Sequence, residues 1–263
     1  MGVQYSQTQD VDVKNYIAAC GLTDTQGKRD IYNFVQGIKA LGIWNNFICY
    51  PSRSIHNAGS GSTVYSLGGL GTYNATIVNS MTWSTSGLTS GPSTSYFYST
   101  ALSNYLQSLV NGTNKFCLMF GYTPNGSSSS SSVYWNRLSD GYPAVLFATN
   151  WYGQNQQGIG YNNGSGWVGG GWFWGGASDN TPNTPVFYET NYGGTYFQNG
   201  SIQGGGYADI SSNINVVSTS IIQMGNSTAA DIATFFTAFA PTAYTTSIYS
   251  LFKATLGRGL GLP

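Results

Sequence analysis

One glutamate, Glu189, and one histidine, His56, occur in 263 residues, and few reactions run on so little. Cleavage of a glycosidic bond ordinarily needs two carboxylates flanking it. A catalytic triad needs a histidine between a nucleophile and an orienting acid. Zinc and two-metal sites need several His, Asp, Glu or Cys side chains that converge. His56 sits in Arg53-Ser54-Ile55-His56-Asn57 with no acid beside it in sequence, and it reads as a surface hydrogen-bonding residue. Glu189 and Asp209 read as solvated carboxylates or turn acceptors in polar turns. The expectation is a protein that is not an enzyme, with no catalytic residue.

Aromatic rings and amides are plentiful instead. In Gly164-Ser165-Gly166-Trp167-Val168-Gly169-Gly170-Gly171-Trp172-Phe173-Trp174, three glycines fit a dinucleotide-binding G-x-G-x-x-G. That motif needs a strand before it and a helix after it, and both flanks here read as strand or turn. On a strand, Trp172 and Trp174 share one face and Phe173 takes the other. Such indoles either stack on sugar rings or fill a sandwich core. Trp151, Tyr152 and Asn155 follow the apolar run Ala144–Ala148. They are either a glycan contact, with rings giving area and amides orienting hydroxyls, or an ordinary polar loop. The candidate ligand-binding residues are therefore Trp151, Tyr152, Asn155, Trp167, Trp172 and Trp174. No metal ligand set is evident. Asp179-Asn180 is the nearest approach to a calcium site, and a hard cation wants six to eight oxygens, so no cofactor is expected.

The elements that must position these residues read as mainly β. Charged residues are 7% of the chain against 15% aromatic, with 36 glycines, which suits many short strands and tight turns. Two-residue periodicity begins at Ile43, with strands expected near 43–50, 74–84, 94–100, 115–122, 132–138, 143–151, 158–162, 166–174, 185–191, 194–199, 213–218, 220–225 and 232–239. Ahead of them, Val13, Tyr16, Ile17 and Cys20 mark one helix face, stopped by Gly21. Thr23 and Gln26 predict a capping box for a second helix. Ile31, Phe34, Val35, Ile38 and Leu41 give it an apolar stripe. Tyr244, Ile248, Leu251, Phe252 and Thr255 predict a C-terminal helix. The expected division is a helical segment over 1–42, a sandwich over 43–240 and a helix with tail over 241–263.

Net charge is zero, so the basic stripe of a nucleic-acid binder is missing. No run approaches the roughly 20 apolar residues of a membrane helix. Residues 1–7 are polar and read as no secretion signal, which implies synthesis in the cytoplasm and makes Cys20, Cys49 and Cys117 buried reduced thiols. Twenty tyrosines with few charges suit recognition surfaces and subunit contacts, hence a homo-oligomer or larger assembly.

Several segments together resemble one family: Tyr16-Ile17-Ala18-Ala19-Cys20-Gly21-Leu22-Thr23-Asp24, Gly37-Ile38-Lys39-Ala40-Leu41-Gly42-Ile43-Trp44, Cys49-Tyr50-Pro51, the stretch from Tyr65 to Asn74, and the close from Ser247 to Pro263. They resemble the concanavalin A-like (laminin-G-like) sandwich proteins of tailed phages. The resemblance implies a concanavalin A-like jelly-roll β-sandwich with the helices packed on its edges. It also implies a virion structural role as tail fibre, adhesin or particle-surface component, with other virion proteins and a host-surface polysaccharide as partners. A stand-alone lectin-like module is the alternative, and a divergent polysaccharide hydrolase a further one. Glucanases of that fold carry Glu-x-Asp-x-x-Glu, whereas Asn191 and Gly194 stand where the partners of Glu189 would fall.

Overall fold

The computed structural model describes residues 10–89, 95–111, 117–124, 131–137, 143–149, 156–162, 167–168, 172–174, 183–190, 196–204, 221–224, 232–240 and 247–263. The chain is mainly β, with antiparallel sheets and few helices. Two helices open it, α1 (Val11–Cys20) and α2 (Thr25–Ala40). Strands β1 (Ile48–Pro51), β2 (Thr63–Val64), β3 (Ala75–Val78), β4 (Thr82–Ser84), β5 (Gly87–Thr89) and β6 (Tyr96–Tyr98) lead to α3 (Thr100–Asn111). Then come β7 (Cys117–Pro124), β8 (Ser131–Arg137), β9 (Pro143–Thr149), β10 (Gln156–Asn162), β11 (Trp167–Val168), β12 (Trp172–Trp174), β13 (Val186–Thr190), β14 (Tyr196–Gln198), β15 (Ser201–Gly204), β16 (Ile221–Met224) and β17 (Ile232–Ala240). Helix α4 (Tyr249–Ala254) follows. The strand expected at 213–218 lies outside the described residues.

Asp10 caps α1, its carboxylate accepting from the amides of Asp12 and Val13. Lys39 near the end of α2 bridges Asp10 at 2.8 Å and Asp12 at 2.6 Å, which ties the two helices together. Gly21 closes α1 at φ 65°, a left-handed turn that costs glycine least. The capping box expected at Thr23 and Gln26 is replaced. Asp24 is the cap, accepting from Gly27 N, and Gln26 donates to Asp30 instead. Helix α3 has no counterpart in the expected elements. Its start is signalled by Ser99, whose hydroxyl accepts from Leu102 N.

The strands form an eight-stranded and a nine-stranded sheet. The eight-stranded sheet runs β15-β14-β13-β7-β17-β5-β4, with β1 also on β17. One of its faces meets the helices, where Phe34, Phe187, Phe235, Phe236 and Phe252 pack ring on ring. The opposite face meets the nine-stranded sheet, with Tyr50 edge-on to Phe97 at 5.8 Å between centroids. Helix α3 contacts β16 of that second sheet, whereas α1, α2 and α4 pack on a face of the eight-stranded sheet. The reason is β17, Ile-Ala-Thr-Phe-Phe-Thr-Ala-Phe-Ala, which is apolar on both sides and needs a layer against each. Cys20, Cys49 and Cys117 are buried thiols.

Candidate functional site: the outer face of the nine-stranded sheet

This sheet runs β11-β10-β9-β8-β16-β6-β3-β2, with β12 also on β10. Paired residues in an antiparallel ladder share a face, so register assigns each position to the inner or outer side. Ile77 pairs Phe97, Phe97 pairs Met224, Met224 pairs Tyr134, Tyr134 pairs Phe147 and Phe147 pairs Ile159. Phe97 is fully buried against Tyr50, so this row faces inward. The neighbouring row is Thr63, Thr76, Tyr98, Gln223, Trp135, Leu146 and Gly160. Thr76 is exposed and Tyr98 half-buried, so that row faces outward.

Gly160 places the rest of β10. Gln156, Gly158 and Asn162 share its parity and lie on the outer face. Gln156 pairs Trp174, Gly158 pairs Trp172 and Asn162 pairs Trp167. All three tryptophans therefore occupy outer positions along one edge. Simple alternation along a single strand 166–174 would set Trp167 opposite Trp172, since five residues separate them. The register instead moves by one residue between Gly158↔Trp172 and Tyr161↔Val168, as a bulge does, and this restores Trp167 to the same face. The expected strand 166–174 is accordingly two pieces, β11 and β12.

The backbone also adds a residue that sequence reasoning passed over. Trp135 pairs Leu146, which pairs Gly160, so Trp135 stands two strands inward on the outer face. The expected strand 132–138 contains it, but its face is assigned only by the register of β8 with β9 and β16. Trp151, Tyr152 and Asn155 lie outside the described residues, as do Asp179, Asn180 and Asp209.

The two residues that first drew attention turn out to be structural. His56 is fully buried, not on the surface, and Nε2 lies 3.5 Å from Asp30 Oδ2, a long contact for a hydrogen bond. Burial depresses its pKa, with Arg53 adding to the effect and Asp30 opposing it. Asp30 also accepts from Gln26 at 2.9 Å and from Arg258 at 3.1 Å. Burial would raise its pKa, but His56, Gln26 and Arg258 outweigh that and hold it below 3.8. Arg53 donates to Thr85 O, Leu256 O and Arg258 O. Tyr16 OH donates to His56 O at 2.7 Å. Glu189 is likewise buried, not solvated. Its carboxylate accepts from Ile248 N at 2.8 Å and from the Ser247 hydroxyl, anchoring the entry to α4.

No family model and no curated protein matches the chain. Among solved structures it is similar to Trypanosoma rangeli sialidase, with TM-score 0.53, 11% identity, and coverage of 80% of this chain and 33% of that one. It is similar to a mutant of that sialidase displaying trans-sialidase activity, with TM-score 0.57, 12% identity and coverage of 81% and 34%. A third similar structure is of botulinum neurotoxin type C, whose cell entry depends on interaction with two ganglioside molecules. There the TM-score is 0.54, the identity 12% and the coverage 81% and 52%. The chain thus spans about a third of the sialidases' length and about half of the toxin chain's. The likeness is one of fold. It overturns the expectation that the chain is not an enzyme, because the solved structures it matches include sialidases. A shortage of carboxylates does not by itself decide the class.

Proposed function

We propose that the chain is a concanavalin A-like carbohydrate-recognition sandwich whose outer face binds glycans, in the phage-particle setting that the sequence resemblance implies. The observation that carries this reading is the register shift that sets Trp167, Trp172 and Trp174 on one outer face. Gly158 and Gly160 lie on that face without side chains. Gln156 and Asn162 stand in pairing register with Trp174 and Trp167. A pyranose presents one apolar C–H face and a rim of hydroxyls. Indoles give the first its contact area, and amides carry both donor and acceptor for the second. Support comes also from the similar structures, two of sialidases and one of a toxin that interacts with gangliosides.

A glycan microarray with the purified protein, repeated with Trp172→Ala and Trp174→Ala, tests the reading. Binding that falls about tenfold or more in each variant, at unchanged circular dichroism, supports it. Binding indifferent to both substitutions sinks it. Chromatography of the bound glycan after incubation extends the test to catalysis, since shorter products would make the same face a substrate site. Immunogold microscopy of particles from the source culture tests the virion setting. Label on tails or fibres supports an adhesin, label on heads a surface component, and particles without label overturn that setting.

A further inference from the structure

We infer that the ligand of the outer face is an extended, uncharged polysaccharide that lies along the β10 edge, an inference that rests on the glycan reading above. Two observations carry it. The first is length. The positions paired with Trp174 and Trp167 are Gln156 and Asn162. Six residue steps at about 3.4 Å each put the outermost tryptophan positions roughly 20 Å apart along the strand. Trp172 stands about 7 Å from Trp174 by the same spacing. A single sugar cannot reach both ends of such a row, whereas a chain of several rings meets each indole in turn. Gly158 and Gly160 are the outer-face positions of β10 between the levels of Trp174 and Trp167.

The second observation is charge. The strands β9, β10, β11 and β12 are Pro-Ala-Val-Leu-Phe-Ala-Thr, Gln-Gln-Gly-Ile-Gly-Tyr-Asn, Trp-Val and Trp-Phe-Trp. Every residue in them is uncharged. A carboxylate or sulfate sugar is ordinarily held by Arg or Lys in charge-assisted bonds. Four of the chain's nine cations, Lys14, Lys28, Arg29 and Lys39, belong to the opening helices, and three more, Arg53, Lys253 and Arg258, gather with them or with α4. Of the remaining two, Lys115 lies outside the described residues and Arg137 stands on β8, in the outer-face parity of Trp135 and two strands from β10. Most of the positive charge is thus on the far side of the eight-stranded sheet, and an acidic ligand along β10 would find no cation on β9, β10, β11 or β12 themselves.

The experiment is a microarray carrying neutral homo-oligosaccharides from disaccharide to octasaccharide beside sialylated and sulfated oligosaccharides, read at low and at high salt. The expected result is binding to a neutral series that strengthens about tenfold or more with chain length and does not change with salt. Trp167→Ala should flatten the length dependence while short-oligomer binding persists, and Trp167→Phe should restore part of it. Preference for sialylated or sulfated ligands, weakened by salt, would overturn the inference and leave glycan binding standing. Equal affinity for the disaccharide and the octasaccharide would do the same. Binding to no glycan would remove both the inference and the reading beneath it.

Discussion

Arg258 Nε donates to Asp30 Oδ1 at 3.1 Å across 228 residues of sequence, joining the chain's closing segment to its second helix. Beneath that contact Arg53 performs the more exacting task. Its guanidinium is buried and donates to three backbone carbonyls, Thr85, Leu256 and Arg258. Burial lowers its pKa to about 10, against the pull of Asp30, so it stays charged at neutral pH. Arg53→Ala leaves the buried Leu256 carbonyl unmet, worth roughly 1–3 kcal/mol, and removes two part-buried contacts besides, so it should lower stability by about 2 kcal/mol or more. Arg258 is 52% exposed while its partner Asp30 is buried, and Gln26 still donates to that carboxylate without it, so Arg258→Ala should cost less than Arg53→Ala. Urea denaturation of the two variants checks the order. Equal losses would show that the exposed arginine matters as much as the buried one and sink the proposed order.

His56 makes the fold sensitive to acid. Its folded pKa is depressed, so the unfolded chain takes up the proton more readily. The resulting stability is complete above the ordinary value of about 6.5 and is lost as pH falls through the folded value. Asp30, also depressed, adds a second loss of the same sign below 3.8. Melting temperature should therefore decline as pH drops below about 6.5, and His56→Gln, which has no proton to take up there, should flatten that part of the profile. A variant with the wild-type slope would assign the titration elsewhere.

Glu189→Gln tests whether the single glutamate is structural. Its carboxylate accepts from Ile248 N and from the Ser247 hydroxyl at the start of α4. An amide offers one acceptor where the carboxylate offers two, and turns a donor toward one of those partners. The variant should lose about 1–3 kcal/mol of stability, while the glycan binding proposed for the far sheet should stay as in the wild type. Loss of binding with stability unchanged would give Glu189 a functional role.

Gly121 lies beneath Phe235, the extra residue where the β17 register shifts against β7. A Cβ at 121 would fall 1.9 Å from Phe235 Cε2 and 2.6 Å from Cζ. The ring is walled in by Phe252 on its other side, so Gly121→Ala should destabilise by about 1–3 kcal/mol through overpacking. Thermal unfolding of the variant decides it. An unchanged melting temperature would mean that the Phe235 ring shifts freely.

Much of the scaffold could be read locally. Val13, Tyr16 and Cys20 recur at helical spacing and are buried together, and much of the two-residue alternation falls on antiparallel strands. Trp44–Asn46 is nevertheless a 3-10 turn, the first strand starts at Ile48, and the expected strand 74–84 divides between the two sheets. What escaped depends on contacts distant in sequence. His56 read as exposed because its carboxylate neighbour, Asp30, belongs to another element. Glu189 read as solvated because its donors come 58 and 59 residues later. The tryptophans show the same limit in the site itself. Trp172 and Trp174 share a face by simple alternation, whereas Trp167 joins them only through a register shift that is visible once β10 is paired.

That shift leads to a test in which fold and function separate. Gly160 lies on the outer face between the levels of Trp172 and Trp167, paired with Leu146 of β9. Glycine inside a strand is unfavourable for the ladder, and a β-branched residue there is better by up to about 1 kcal/mol. Gly160→Val should therefore melt at the same temperature as the wild type or higher. On the proposed reading, the added isopropyl group would stand where a sugar ring lies between the tryptophan positions. Calorimetric titration with the glycan found on the microarray should show binding lost while stability holds or rises. Binding intact in Gly160→Val would move the glycan off this face, because no ligand lying along that edge could pass over the new side chain unchanged.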